Sequence, residues 1–77
     1  MTDPRHSVLE LLLEHYPGLL SVEEVIRELA AGSVSFAERD RIEVAVRELI
    51  GSGLANRLGA FVFASHAAAS FRQLESL

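Results

Sequence analysis

Three histidines are the first candidates for chemistry in this 77-residue sequence: His6, His15 and His66. No two of them are four residues apart, the spacing at which two imidazoles on one helix can bind a metal ion. No cysteine is present to complete a tetrahedral zinc site. His15 follows Glu14 near the predicted end of a helix, where a partly charged imidazole interacts favourably with the helix dipole. We therefore expect neither a metal site nor a catalytic histidine.

The adjacent carboxylates Glu23 and Glu24 are the second candidate. They open a predicted helix, where acidic side chains are stabilised by the positive end of the helix dipole. This structural role is much commoner than paired acid-base catalysis. The chain also offers no convincing Ser-His-Asp or Cys-His arrangement and no glycine-rich phosphate loop. The sequence therefore predicts a protein that is not an enzyme and needs no cofactor.

Composition predicts one packed domain over residues 1–77. Hydrophobic residues make up 49% and charged residues 23%, which is typical of a globular chain rather than a disordered one. No apolar run approaches the ~20 residues that span a bilayer, and the first residues lack the layout of a signal peptide. We expect a cytoplasmic domain without a membrane partner. All seven basic residues are arginine and the net charge is −4, which gives no overall electrostatic indication of nucleic acid.

Three amphipathic helices are predicted in the first two thirds of the chain. The first covers residues 5–16, with a stripe of apolar side chains at Val8, Leu9, Leu12, Leu13 and Tyr16. The second begins with the capping box Ser21-x-x-Glu24 and ends before Gly32. The third opens with a second such box, Ser35-x-x-Glu38, and covers residues 36–50. Glycine and proline lie between these segments, as expected for turns.

The periodicity then changes to that of β-strands. Residues 54–58 and 61–64 predict a hairpin with a tight turn at Gly59, and Leu19-Leu20 could add a short third strand. Ser65 could cap a last helix over residues 66–77. The predicted order is helix, helix, helix, hairpin, helix. The fold class is therefore mainly α with a small β-hairpin, an α+β arrangement.

That order and one string of residues resemble the winged helix-turn-helix superfamily, in which a helix ends at a Gly-Leu step into a β-hairpin wing. The string reads Ile42-x-x-Ala45-Val46-x-x-Leu49-Ile50-x-x-Gly53-Leu54-x-x-Arg57-x-Gly59-x-Phe61-Val62. The resemblance implies that the third helix occupies the position of the DNA recognition helix and that residues 56–60 form the tip of the wing. One departure is the connection over residues 31–36, which is longer than the turn of most DNA-binding members.

Four arginines are the candidate DNA contacts under this resemblance: Arg39, Arg41, Arg47 and Arg57. A helical wheel places Arg41 and Arg47 on the outward face of the third helix, with Asp40 and Glu48 beside them. An ion pair between Glu43 and Arg47, worth ~0.3–0.5 kcal/mol, is the structural alternative for Arg47. Arg57 at the wing could contact phosphate or remain a solvated turn residue. Residues 1–32 carry the whole net charge of −4, and residues 33–77 are neutral.

Apolar residues outside the predicted stripes indicate a second use of the surface. The candidate interface residues are Leu11, Val44, Phe71, Leu74 and Leu77. The last helix either folds back on the first helix and the wing or joins the first helix in a homodimer. Phe61 and Phe63 face one side of the hairpin and Val62 the other, so one side needs a cover from the last helix or a partner chain.

Two functions of different classes follow. The first is a small DNA-binding protein, a regulator of transcription, with the third helix in the major groove and the wing on the DNA backbone. The second is an interaction module of the same fold that binds a protein and no DNA. The acidic balance and the absence of lysine favour the second; the arginines between positions 39 and 57 favour the first.

Overall fold

A computed structural model describes residues 3–30 and 35–75 of the chain. The described residues form four helices and three strands, which confirms the predicted α+β class. The elements are α1 (Pro4–His15), β1 (Leu20–Ser21), α2 (Val22–Ala30), α3 (Phe36–Gly51), β2 (Ala55–Leu58), β3 (Phe61–Ala64) and α4 (His66–Glu75). None of the described helices has the length and apolar character needed to cross a bilayer.

The helices begin where short polar side chains accept hydrogen bonds from backbone N–H groups that the first turn leaves without partners. Three serine hydroxyls do so at 3.1 Å: Ser21 from Glu24 N, Ser35 from Glu38 N and Ser65 from Ala68 N. At α2 the capping box is reciprocal, because Ser21 N donates to Glu24 Oε1 at 3.1 Å. This backbone hydrogen bond, with a smaller contribution from the Ser21 hydroxyl, lowers the pKa of Glu24.

The three strands form one antiparallel sheet in the order β1-β3-β2. Residue Leu20 pairs with Val62 on one side of β3, and Arg57 pairs with Val62 on the other. The third strand expected at Leu19-Leu20 is therefore present, shifted by one residue. Gly59 forms the hairpin turn with a φ of +61°, which a side chain would oppose.

The core lies between α1, α2, α3 and the inner face of the sheet, and α1 packs mainly on α3 and β3. Its largest fully buried side chains are Val8, Leu12, Val25, Ile26, Val46 and Val62. The prediction that Leu11 lies off the buried stripe is wrong, because Leu11 is only 9% exposed and belongs to this core. The face of α1 towards the core is centred on Val8, Leu11 and Leu12, at i, i+3 and i+4. Tyr16, predicted to be buried, is 37% exposed.

Helix α4 runs antiparallel along α1. Tyr16 Oη at the end of α1 lies 3.3 Å from His66 Nδ1 at the start of α4, and Arg72 Nη2 lies 3.7 Å from Glu10 Oε2. The last helix therefore folds back on the first helix within one chain. Phe71 and Leu74 remain 63% and 66% exposed on it, whereas Leu77 lies outside the described residues.

The hairpin has one inner and one outer face, as its alternating residues predict. Val62 is fully buried against the core, Phe61 is 44% exposed on the opposite face, and Phe63 beside it is half-buried. The fold-back of α4 onto α1 leaves this outer face partly open to solvent.

Candidate nucleic-acid interface

A groove of about 260 Å³ lies between α3 and the hairpin, lined by Val22, Glu43, Val46, Arg47 and Arg57. Val46 is buried and Val22 half-buried, so the groove has an apolar floor. Arg47 and Arg57 are exposed. Two of the four predicted DNA contacts therefore meet at one site, one from a helix and one from a strand.

The sheet register places Arg57 at this groove. Arg57 and Val62 are directly opposite each other on β2 and β3, and opposite residues of antiparallel strands point to the same face. Since Val62 is buried in the core, Arg57 emerges on the inner face, towards α3. Arg57 Nε donates a hydrogen bond of 2.8 Å to the carbonyl oxygen of Gly59. The hairpin turn therefore restrains the side chain, and no carboxylate of the described residues is paired with it.

Arg47 is also without an ion pair among residues 3–30 and 35–75. The alternative in which Glu43 pairs with Arg47 is not what the structure contains. Glu43 Oε1 instead lies 3.8 Å from Arg39 Nε, one turn towards the start of α3. Arg47 consequently has no carboxylate within ion-pair distance among the described residues, although Glu43 lines the same groove.

Arg39 differs from the other three candidate contacts because it is held between two helices. Its Nη2 contacts Glu23 Oε1 of α2, and its Nε faces Glu43 on its own helix. The side chain is 37% exposed. Arg39, one of the four predicted DNA contacts, therefore already lies between two carboxylates.

Arg41 lies on the other flank of α3. It lies six positions before Arg47, which at 100° per residue places the two about 120° apart around the helix. Arg41 borders a depression of about 190 Å³ with Pro4, Ser7 and Leu29. Like Arg47, it has no ion pair in the part of the chain that the structure describes.

Between these two arginines, the outward face of α3 carries Asp40, Val44 and Glu48. Glu48 Oε2 is 3.6 Å from Arg5 Nη1, so α1 compensates part of its charge. Arg5 also pairs with Asp3 at 2.7 Å, and this hydrogen-bonded ion pair lowers the pKa of Asp3. Val44, predicted to be an exposed interface residue, is half-buried beside the start of α1. The surface of α3 is therefore mixed in charge, with its unpaired cations at the two edges.

The histidines form no metal site in the described ranges, where no three His, Asp or Glu side chains come together. His15 Nδ1 lies 3.1 Å from the carbonyl oxygen of Leu11, to which it can donate a hydrogen bond at the end of α1. His66 lies between Tyr16 and Ser70 at the start of α4. The contact with Leu11 lies at the end of α1, and the contact with Tyr16 joins α4 to α1.

Two features of the site could not be found from the sequence. Val22 forms part of the groove floor, although its spacing marks it only as a helix residue. Glu23 is the partner of Arg39, sixteen positions away and across a connection that no local rule describes. The only sequence signal for the pairing of Glu23 with Arg39 was the presence of opposite charges near the starts of neighbouring helices.

A comparison of this chain with protein-family models, curated proteins and solved structures found no match. The function must therefore be inferred from the chemistry of the groove and its surroundings.

Proposed function

We propose that this chain is a small winged-helix DNA-binding protein that regulates transcription in the cytoplasm, with α3 in the major groove and the β2–β3 hairpin on the DNA backbone. The observation that carries the proposal is the groove at which Arg47 and Arg57 meet without a carboxylate partner among the described residues. Phosphate oxygens are natural ligands for such guanidinium groups.

The order of elements supports this assignment. Helix α3 leads directly into the hairpin, and it packs against β2, the first strand of that hairpin. A helix and an adjacent hairpin that present arginines together can contact a groove and the neighbouring phosphates at once. The resemblance to winged helix-turn-helix proteins supports the same arrangement.

The distribution of ion pairs also supports it. Three arginines are engaged by carboxylates: Arg5, Arg39 and Arg72. Four arginines have no ion pair among the described residues: three of them, Arg41, Arg47 and Arg57, lie on α3 or β2, and the fourth, Arg27, lies on α2. The net negative charge lies in residues 1–32, a range that includes α1 and α2. A polyanion would repel the acidic part of the chain and attract the arginines of α3 and β2, which would orient the molecule on it.

Titration of a labelled random-sequence duplex tests the proposal. Binding at low salt should weaken as salt is added, with the logarithm of the affinity falling linearly with the logarithm of the salt concentration. The slope reports the number of phosphates neutralised. The absence of binding at about 20 mM salt would contradict a DNA-binding function.

The second candidate is a protein-interaction module, favoured by the exposed apolar side chains Phe71 and Leu74 on α4. They lie on the helix that folds along α1, so a second copy packed there would give a homodimer through α1 and α4. Sedimentation over a range of concentrations distinguishes the two. A dimer that the Leu74→Asp substitution dissociates, in a protein that binds no DNA, would favour the module.

A further inference from the structure

We propose that Arg39 is a positioning residue that keeps Arg47 available to DNA by holding the carboxylate of Glu43 away from it. The inference rests on the proposed function, and it concerns an arginine that would otherwise be assigned to direct DNA contact. It begins from the position of Glu43, which stands one helical turn from a cation on either side: Arg39 before it and Arg47 after it.

Local helix energetics favour the opposite choice of partner. A glutamate four residues before a basic residue pairs better than a glutamate four residues after one. Glu43 should therefore prefer Arg47 in an isolated helix. In the folded chain it faces Arg39 instead, with Oε1 at 3.8 Å from Nε, and Arg47 has no ion pair in the described residues.

Helix α2 supplies the reason. Glu23 in its first turn contacts Arg39 Nη2, which fixes the guanidinium between the two helices. A fixed cation costs less side-chain entropy to pair with than a mobile one. Glu43 therefore has Arg39, which is already held in place, one turn before it and the mobile side chain of Arg47 one turn after it. The contact between α2 and α3 thereby decides which arginine of α3 remains uncompensated.

The consequence concerns the groove. Glu43 and Arg47 both line it, so a carboxylate that turned towards Arg47 would cancel the cation at the place where a phosphate would bind. Arg39 shares its single positive charge between Glu23 and Glu43, and it holds the carboxylate of Glu43 on the side away from Arg47. Arg39 would then contribute to DNA affinity without touching DNA.

Arg39→Ala tests this in the full chain against the random-sequence duplex. The variant should lose one phosphate contact, lowering the magnitude of the salt slope by about 0.9. Arg27→Ala is the matched control, because Arg27 is exposed on α2 and its loss changes the net charge equally. Arg27→Ala should leave the slope unchanged.

The second substitution separates positioning from direct contact. In Arg39→Ala/Glu43→Gln the released side chain carries no charge, so Arg47 is free again and the slope should return to that of the wild type. Arg39→Ala/Glu28→Gln restores the same net charge at an exposed site on α2 and should not recover the slope. A slope that stays low in Arg39→Ala/Glu43→Gln would overturn the proposal and assign Arg39 to direct contact. Equal recovery in both double variants would overturn it in favour of net charge alone.

A readout without DNA distinguishes failure of this inference from failure of the proposed function. The Nε–Hε resonance of Arg47 should shift in Arg39→Ala and return in Arg39→Ala/Glu43→Gln, whether or not the protein binds DNA. An Arg47 resonance that is unchanged in Arg39→Ala would overturn the positioning role. Thermal unfolding followed by circular dichroism checks that each variant is folded.

Discussion

Arg47 of α3 and Arg57 of β2 line the same groove, whose floor includes Val22 and Val46. The register of β2 on β3 brings Arg57 to the inner face of the hairpin, and the pairing of Glu43 with Arg39 leaves Arg47 uncompensated. This relationship between a helix residue and a strand residue is the basis of the proposed DNA interface.

Arg57→Ala should weaken binding to all duplex sequences by a similar factor. A residue that contacts phosphate carries no sequence information, and one lost phosphate contact lowers the magnitude of the salt slope by about 0.9. Arg57→Lys keeps the charge but loses the Nε bond to Gly59, so it should retain more of the slope. Salt titrations on two unrelated duplexes measure this. A loss confined to one of the two sequences would argue against a backbone contact.

Arg47→Ala should lose one phosphate contact and also relax the preference among sequences, because the guanidinium of an arginine on a helix in the major groove can contact a phosphate and a base edge together. An arginine that reads a guanine contributes about 1–3 kcal/mol of discrimination. Selection from a random duplex library, followed by affinity measurements on the selected and scrambled sites, gives the discrimination directly. If the affinities of the wild type and of Arg47→Ala differ equally between the selected and the scrambled sites, Arg47 contacts no base.

Leu11→Ala should lower the free energy of unfolding by about 2–5 kcal/mol, the usual cost of removing a buried leucine side chain. Leu74→Ala is the same change at an exposed position and should alter it by less than about 0.5 kcal/mol. Urea unfolding of both variants tests the assignment of Leu11 to the core. Similar free energies of unfolding for the two variants would show that Leu11 is not part of the core.

Glu24→Gln should make stability less dependent on pH in the acidic range. The pKa of Glu24 is lowered in the folded state from its ordinary value of 4.5 by the Ser21 hydrogen bonds. The ionised carboxylate therefore stabilises the fold at neutral pH, and this contribution is lost as the pH falls from 4.5 through the lower folded-state pKa. Wild type should melt above Glu24→Gln at pH 7, and the two should converge at acidic pH.

Glu14→Gln serves as the control for this effect. Glu14 is exposed in the last turn of α1, away from any helix start. Its loss should not reproduce the pH-dependent difference. If Glu24→Gln melts at the same temperature as the wild type at pH 7, the stability that the capping box of α2 contributes does not depend on the charge of the Glu24 carboxylate.

Much of the fold was predictable because its signals are local. Ser21 and Ser35 start the helices that their capping patterns predict, and Gly59 lies at the expected hairpin turn. The error at Leu11 has a physical reason. Helix α1 packs mainly on α3 and β3, whereas a second side of it borders a depression shared with α4, so the predicted single stripe did not match the buried face.

The site was less predictable than the fold. The four arginines were identified by type and position, but their ion pairs depend on tertiary contacts. Glu23 reaches Arg39 only because α2 packs beside α3, and this contact changes the expected partner of Glu43. Sequence spacing alone favoured Arg47 as that partner. The choice between the two arginines is therefore a property of the folded chain.

The decisive measurement for the proposed DNA interface is the salt dependence of duplex binding, compared between the wild type and Arg47→Ala/Arg57→Ala. The wild type should bind measurably, and the magnitude of the salt slope should be smaller by about 1.8 in the double variant, because two phosphate contacts are lost. Arg27→Ala should keep the wild-type slope. A wild-type protein that does not bind at about 20 mM salt, or a double variant with an unchanged slope, would contradict the proposed interface.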